Sequence, residues 1–263
     1  RDPALKLTAQ VLDLLGIEWT LMDVEDPKKF FLLLLQLAAI EVRMQMDSKS
    51  FMQALNNADL ITSCFLILEQ SLAFMASDQI DFEQKEKQQT YTALKGAFTA
   101  ILGVLTKLSN DKLSENLEGK NKLFACAMIR VLSAWLAQET AAMRAQVYKI
   151  LPFIFKLSNQ TFYDHRQFVL EKKNSNLEYE LDAPMDALRV FLPALCHLVV
   201  EDEGRQIFLK VKQEDVLYEF IVFHWGIAHY KRPPIPRAER LKRMNEPDPE
   251  LTPQQLEAMK DSR

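Results

Sequence analysis

Glycine is scarce in this chain, with six in 263 residues, less than half of average usage. Few glycines leave few positions for sharp turns or left-handed backbone, which suits long helices joined by short connections. Alternating Val/Ile/Thr segments of useful length are also missing, so nothing competes with a helical reading. Cysteine is limited to Cys64, Cys126 and Cys196, far apart and each inside an apolar run. Without a CxxC pair or a secretory pattern, reduced and buried thiols in the cytosol are expected. The longest apolar run, Phe30–Ile40, is too short to span a bilayer and continues into Glu41 and Arg43. Gly-rich phosphate loops, Walker sequences, HExxH and GxSxG are all absent. These absences remove a β-rich fold, a disulfide scaffold and the common hydrolase and nucleotide-binding classes.

What is present is Leu, Ala, Lys, Glu, Gln and Met in quantity, the strong helix formers, with 48% hydrophobic residues to fill a core. Asp2-Pro3 and Asp26-Pro27 are start signals, an Asp N-cap followed by proline at N1. The first helix carries Leu5, Val11, Leu12 and Leu15 as its expected buried stripe and ends at Gly16. The second runs from Pro27 to about Met46. Its segment Phe30–Ile40 is apolar nearly all round, which predicts a helix covered on both sides, like the inner helix of a repeat. Further helices are predicted over 51–76, 84–108, 121–138, 141–158, 184–200, 205–212 and 215–227, with Thr140 as an N-cap. Residues 162–182, including the polar stretch Glu171–Asn176, read as a loop or insertion.

Two proline-bearing runs, Ile150–Leu157 and Phe191–Leu198, align 41 positions apart, and Lys107-Leu108-Ser109-Asn110 recurs 49 positions later as Lys156-Leu157-Ser158-Asn159. Helical units recurring every ~40–47 residues mark an armadillo/HEAT-like α-solenoid, in which each unit buries its apolar face only by stacking on its neighbours. Pro152 should kink or break its helix near Leu151, leaving Pro152 at N1 of a short final helix. The all-α solenoid domain is expected over 1–230, a piece of a longer stack.

Charge is uneven. The net value is −4, yet Lys231–Arg243 holds six Lys/Arg against the single Glu239, which leaves an acidic body. Such a body is a poor nucleic-acid binder, because phosphate neutralisation needs clustered cations. Residues 231–263 read as a basic, proline-containing tail, polyproline-like over Lys231–Pro236. A short helix is expected after the capping-box sequence Thr252-Pro253-Gln254-Gln255. A solvated linker is the plain account of that tail; weak contact with an anionic membrane surface or an acidic partner is the other.

Candidate chemistry is thin. Cys196 and His197 are adjacent in a helix and point about 100° apart, so they form no thiolate–imidazole pair, and Cys196 is expected buried. His224 and His229 lie five apart, without the spacing or acidic partners a metal needs. His165 reads as a solvated residue at a loop edge, and Glu201, Asp202 and Glu203 as a helix exit. No catalytic, cofactor-binding or metal residue is assigned, and an enzyme is not expected.

Four co-linear stretches carry a family resemblance. They are Arg1–Leu7 with Trp19, Lys29-Phe30 through Glu41-Val42-Arg43, Val131–Thr140 running on into Leu151-Pro152-Phe153, and Asp186–Arg189 followed by Leu192-Pro193, Cys196-His197-Leu198 and Val200-Glu201-Asp202. Together they resemble the neurochondrin family, and the match looks like the middle of its chain, whereas the tail beyond Tyr230 does not look like the family pattern. The resemblance implies an armadillo-like fold and a non-enzymatic, cytosolic protein of neuronal cell bodies and dendrites. It also implies roles in neurite outgrowth, in damping calcium/calmodulin-dependent kinase II signalling, and in binding receptor cytoplasmic tails. It transfers no site residues and no cofactor. The alternative is an unrelated armadillo/HEAT scaffold or transport-type module that binds extended peptides. Against it, Trp19, Trp135 and Trp225 follow no fixed period.

Overall fold

The computed structural model describes residues 2–22, 25–77, 80–138, 141–174 and 184–229. Among them there are ten α-helices and no strand: α1 (Asp2–Leu15), α2 (Pro27–Met46), α3 (Phe51–Leu55), α4 (Ala58–Ala76), α5 (Gln84–Ser109), α6 (Gly119–Leu136), α7 (Arg144–Asn174), α8 (Ala187–Leu198), α9 (Asp202–Lys210) and α10 (Gln213–Ala228). Thr140 and the whole 231–263 tail, with its 252–255 capping box, lie outside the described residues.

Local chemistry sets the helix ends. The Asp26 carboxylate accepts from the Lys29 amide at 3.1 Å with Pro27 in the first turn of α2, and Gly16 takes φ +79° just after α1, where only glycine is unstrained. Ser50 and Gln53 form a reciprocal capping box at the start of α3. The helix expected over 51–76 is thus two, α3 and α4, divided at Asn56-Asn57.

Residues 1–220 form one compact unit, and 221–263 a second. In the first, the helices stack in two rows. α1, α4, α6 and α8 pack successively on one another, as do α2, α5 and α7, and α2 on α4, α6 on α7 and α7 on α8 tie the rows together. One continuous apolar cluster runs from Leu5 in α1 to Leu198 in α8. Phe31, Leu35, Ile61, Leu68, Phe98, Leu105, Phe155 and Phe191 are all at most 1% exposed within it. Burying each such side chain contributes about 1.5–3 kcal/mol. This is an all-α solenoid, held by a core shared between neighbours.

Several expectations change. Pro152 lies inside α7 without ending it, and Pro193 lies inside α8. Both rings face outward, where a carbonyl freed of its partner can turn to water, while Leu151, Ile154 and Phe155 bury the opposite face. The loop read over 162–182 starts later, because α7 continues to Asn174. Phe162 is fully buried with its ring 5.3 Å from Phe220, and Arg166 pairs with Glu219 at 2.7 Å. These contacts pack the first of the extra turns against α10. In α1 the buried residues are Leu5, Ala9 and Leu12, whereas Leu15 is 64% exposed.

Within the second unit, the described residues are the last turns of α10 and His229. The Trp225 and His229 rings stack there at 4.0 Å, and His229 Nδ1 lies 2.9 Å from the Trp225 carbonyl oxygen.

Candidate interaction surface

The apolar run that begins α2 predicted a helix wrapped on both sides. One face is instead partly open: Leu33 (56% exposed), Leu37 (42%), Ile40 (51%) and Met44 (55%) each keep about half of their surface uncovered. Their spacing, i, i+4, i+7 and i+11, places them on a single stripe roughly 16 Å long. The opposite face, with Phe31, Leu35, Ala38 and Val42, is fully buried against α4 and α5. A sequence that is apolar all round states which residues avoid water on average, not which neighbour arrives to cover them. Leu7 and Leu14 are likewise exposed on α1.

Polar residues border the stripe. Between α2 and α5 lie two shallow hollows, one lined by Lys29, Leu33, Gln36, Glu86 and Gln89, the other by Arg43, Thr92, Lys95 and Thr99. Lys28 and Glu86 meet at 2.7 Å across the first. Their hydrogen bond holds the Glu86 carboxyl below its usual range and raises the Lys28 ammonium above its own. An apolar centre with a polar rim is the anatomy of a protein-binding patch.

A separate cleft of about 500 Å³ opens where the C-terminal ends of α4 and α6 meet the start of α5. Leu72, Met75, Phe82, Tyr91, Leu94 and Trp135 supply most of its lining. The Trp135 indole stacks on Phe98 at 5.0 Å and lies 5.9 Å from the Tyr91 ring. Lys87 and Asp81, 3.6 Å apart, also line it. Nothing in the sequence marks this cleft, since its walls come from α4, α5, the connection between them and α6, which stacking brings alongside.

The residues weighed for chemistry are scattered. Cys64 and Cys126 are buried as expected, but Cys196 is exposed. In α8 the inward face is taken by Leu188, Phe191, Ala194, Leu195 and Leu198, which turns Cys196 and His197 outward. Burial pushes the Cys126 thiol up to about 11, an inert state rather than a nucleophile. His165 sits within α7, not at a loop edge, with Nδ1 2.9 Å from the Pro184 carbonyl oxygen. Among the described residues no group of three His, Cys, Asp or Glu comes together to hold a metal. Among the described residues, one helix is long and apolar enough to cross a membrane, over Ala58–Met75. Half of that window is buried, and as α4 it packs between α1, α2 and α6.

Comparison with known proteins assigns the chain. The family model described as Neurochondrin matches residues 1–260. The chain is 54% identical over its whole length to a neurochondrin homolog of Drosophila melanogaster, covering 35% of that protein. It is 30% identical to Homo sapiens neurochondrin over 87% of the chain and 31% of the relative, and 26% identical to Gallus gallus neurochondrin over 86% of the chain and 32% of the relative. No solved structure matches. The chain spans about a third of the length of these curated relatives. The match through residue 260 corrects the expectation that the segment beyond Tyr230 departs from the family pattern. A charged, proline-bearing segment has few apolar anchors by which such a likeness is read. From end to end, then, the stacked helices and the segment after them have their counterpart in one set of relatives, and the chain belongs to the neurochondrin family.

Proposed function

We propose that this chain is a non-enzymatic protein-binding scaffold that works through its helical surface. The observation that carries the reading is the exposed stripe Leu33, Leu37, Ile40 and Met44, an apolar line with a polar margin on the first helix of the second row. A stripe at this spacing suits an extended or helical segment with apolar anchors one helical turn apart. By the family resemblance its partners are receptor cytoplasmic tails and calcium/calmodulin-dependent kinase II, whose signalling it damps, in the cytosol of neurons extending neurites. In this reading the domain boundary falls near residue 230 and the basic tail is a linker. No residue is assigned a catalytic or cofactor-binding role.

The test compares binding of a receptor cytoplasmic tail and of the kinase by the unaltered chain and by the double variant Leu37→Asp, Ile40→Asp. Both positions face outward, so the helical circular dichroism spectrum should stay unchanged while affinity falls at least tenfold. Retained affinity in a folded double variant refutes the stripe as the contact surface.

A further inference from the structure

Two residues that line the cleft between the ends of α4, α5 and α6 carry polar groups that its apolar walls do not explain. Thr90 Oγ1 and Trp135 Nε1 are buried with no hydrogen-bond partner, and their residues are only 4% and 3% exposed. Both residues line the same hollow of about 500 Å³. An unpaired buried donor is disfavoured because it has given up water for nothing. An indole N–H can only donate, whereas a threonine hydroxyl can donate or accept. The missing partner is therefore an acceptor for Trp135, and an oxygen that also carries a proton can satisfy Thr90.

We propose that this cleft is a binding pocket for an aromatic ring bearing an oxygen, a phenol. The ring would lie among Phe82, Tyr91 and Trp135, with Leu72 and Leu94 completing the apolar wall. Its oxygen accepts from Trp135 Nε1–H, and its hydroxyl donates to Thr90 Oγ1. Both protein atoms are buried, so the occupant reaches them by displacing part of the lining, of which Met75 and Tyr91 are only half-buried. The volume falls within the range of small-ligand sites and accommodates the ring with atoms on either side of it. A tyrosine side chain of a bound protein segment and a free phenolic molecule share this chemistry. In the first case the pocket deepens the scaffold reading by adding an anchor site separate from the α2 stripe.

The experiment titrates the full chain, ¹⁵N-labelled at tryptophan, with p-cresol and with toluene, its counterpart lacking the oxygen. Trp135→Phe identifies the Trp135 indole resonance by its loss. The expected result is a saturable shift of that resonance with p-cresol and weaker binding of toluene. Thr90→Val should weaken p-cresol about three- to tenfold, the worth of one net hydrogen bond, and leave toluene within about twofold. Its melting temperature should not fall, since an unpaired hydroxyl is replaced by a methyl of similar shape. N-acetyl-tyrosinamide binding more tightly than p-cresol assigns the pocket to a protein segment; equal binding assigns it to free phenols. The proposal is overturned if p-cresol gives no saturable shift at Trp135, or if Thr90→Val binds p-cresol as the unaltered chain does. Failure of the Leu37/Ile40 variant to lose partner binding would bear only on the stripe, so the two readings fail separately.

Discussion

Lys107 Nζ lies 2.9 Å from the Lys49 carbonyl oxygen, 58 residues back along the chain. Lys107 is in the last turns of α5, and Lys49 is in the turn that leaves α2, the preceding helix of the same row. One helix further on, Lys156 in α7 reaches the Ser114 carbonyl in the 3₁₀ turn that leaves α5, at 3.3 Å. The repeated sequence Lys-Leu-Ser-Asn at 107–110 and 156–159 is thus a repeated joint. Each lysine ties its helix to the exit of the one before it, while Leu108 and Leu157 are buried beside it.

Replacing either lysine by methionine keeps the apolar stem and removes the donor. Each bond is exposed, so the loss should stay within about 0.5–1.5 kcal/mol, the net worth of an ordinary hydrogen bond. Because the joints tie different helix pairs, the two losses should add in the double variant. Chemical denaturation of the unaltered chain and the three variants measures both points. Destabilisation of only one single variant would break the equivalence of the joints.

The sequence made the all-α architecture readable because helix formation is declared locally: Asp26 caps, Gly16 terminates, and leucines recur at helical spacing. Spacing between repeats is less legible. Pro152 and Pro193, 41 positions apart, belong to α7 and α8, which face each other from different rows and are not successive members of one row. Their apparent period reflects two helices using the same outward proline between buried apolar residues. Helices of the first row begin at Asp2, Ala58, Gly119 and Ala187, spacings longer than the ~40–47 residues expected of armadillo or HEAT units. The open face of α2 and the Thr90–Trp135 cleft escaped for a different reason. Both depend on which helix lies beside which, and that information is absent from any single amphipathic pattern.

A tight joint between α7, α8 and α9 should be the least tolerant of added bulk. Tyr148 donates its hydroxyl to the Leu198 carbonyl oxygen at 3.0 Å, satisfying a backbone group that the end of α8 leaves without an intrahelical partner. The same oxygen sits 2.1 Å from where a Cβ on Gly204 would stand, well inside contact distance. Gly204→Ala must push α9 away from α8 and should cost about 1–3 kcal/mol, as overpacking does. Tyr148→Phe should cost about 0.5–1.5 kcal/mol. Thermal unfolding would show the order; a neutral Gly204→Ala would mean the close approach is absent.

Thiol labelling distinguishes the three cysteines without any substitution. Cys196 is exposed on α8, while Cys64 is 0% and Cys126 3% exposed inside the core. At pH 8 a disulfide reagent should therefore modify one thiol quickly and the other two only as the chain opens. Denaturant should release all three, and Cys196→Ser should remove the fast phase alone. A second fast thiol would contradict the packing of α4 or α6.

Alkaline pH should weaken the fold, and Cys126 should account for much of the effect. Burial raises its thiol from 9.0 to about 11, with Lys122 acting against the shift and Asp164 adding to it. The unfolded chain therefore releases this proton at lower pH than the folded chain does. The stabilisation is complete below pH 9 and is lost as pH rises from 9 to about 11, in total about 2–3 kcal/mol. Tyr148, raised by burial, and Lys28, raised chiefly by its hydrogen bond to Glu86, act in the same direction above pH 10.0 and 10.5. At the acid end, Glu86 is lowered by its Lys28 bond, so its contribution holds above pH 4.5 and disappears as pH falls through its depressed value. Denaturation midpoints from pH 7 to 11 for the unaltered chain and Cys126→Ala check the assignment. The variant begins less stable, because it loses a buried sulfur, but its decline above pH 9 should be shallower. Parallel declines would show that Cys126 does not sit in the apolar surroundings that α6 gives it.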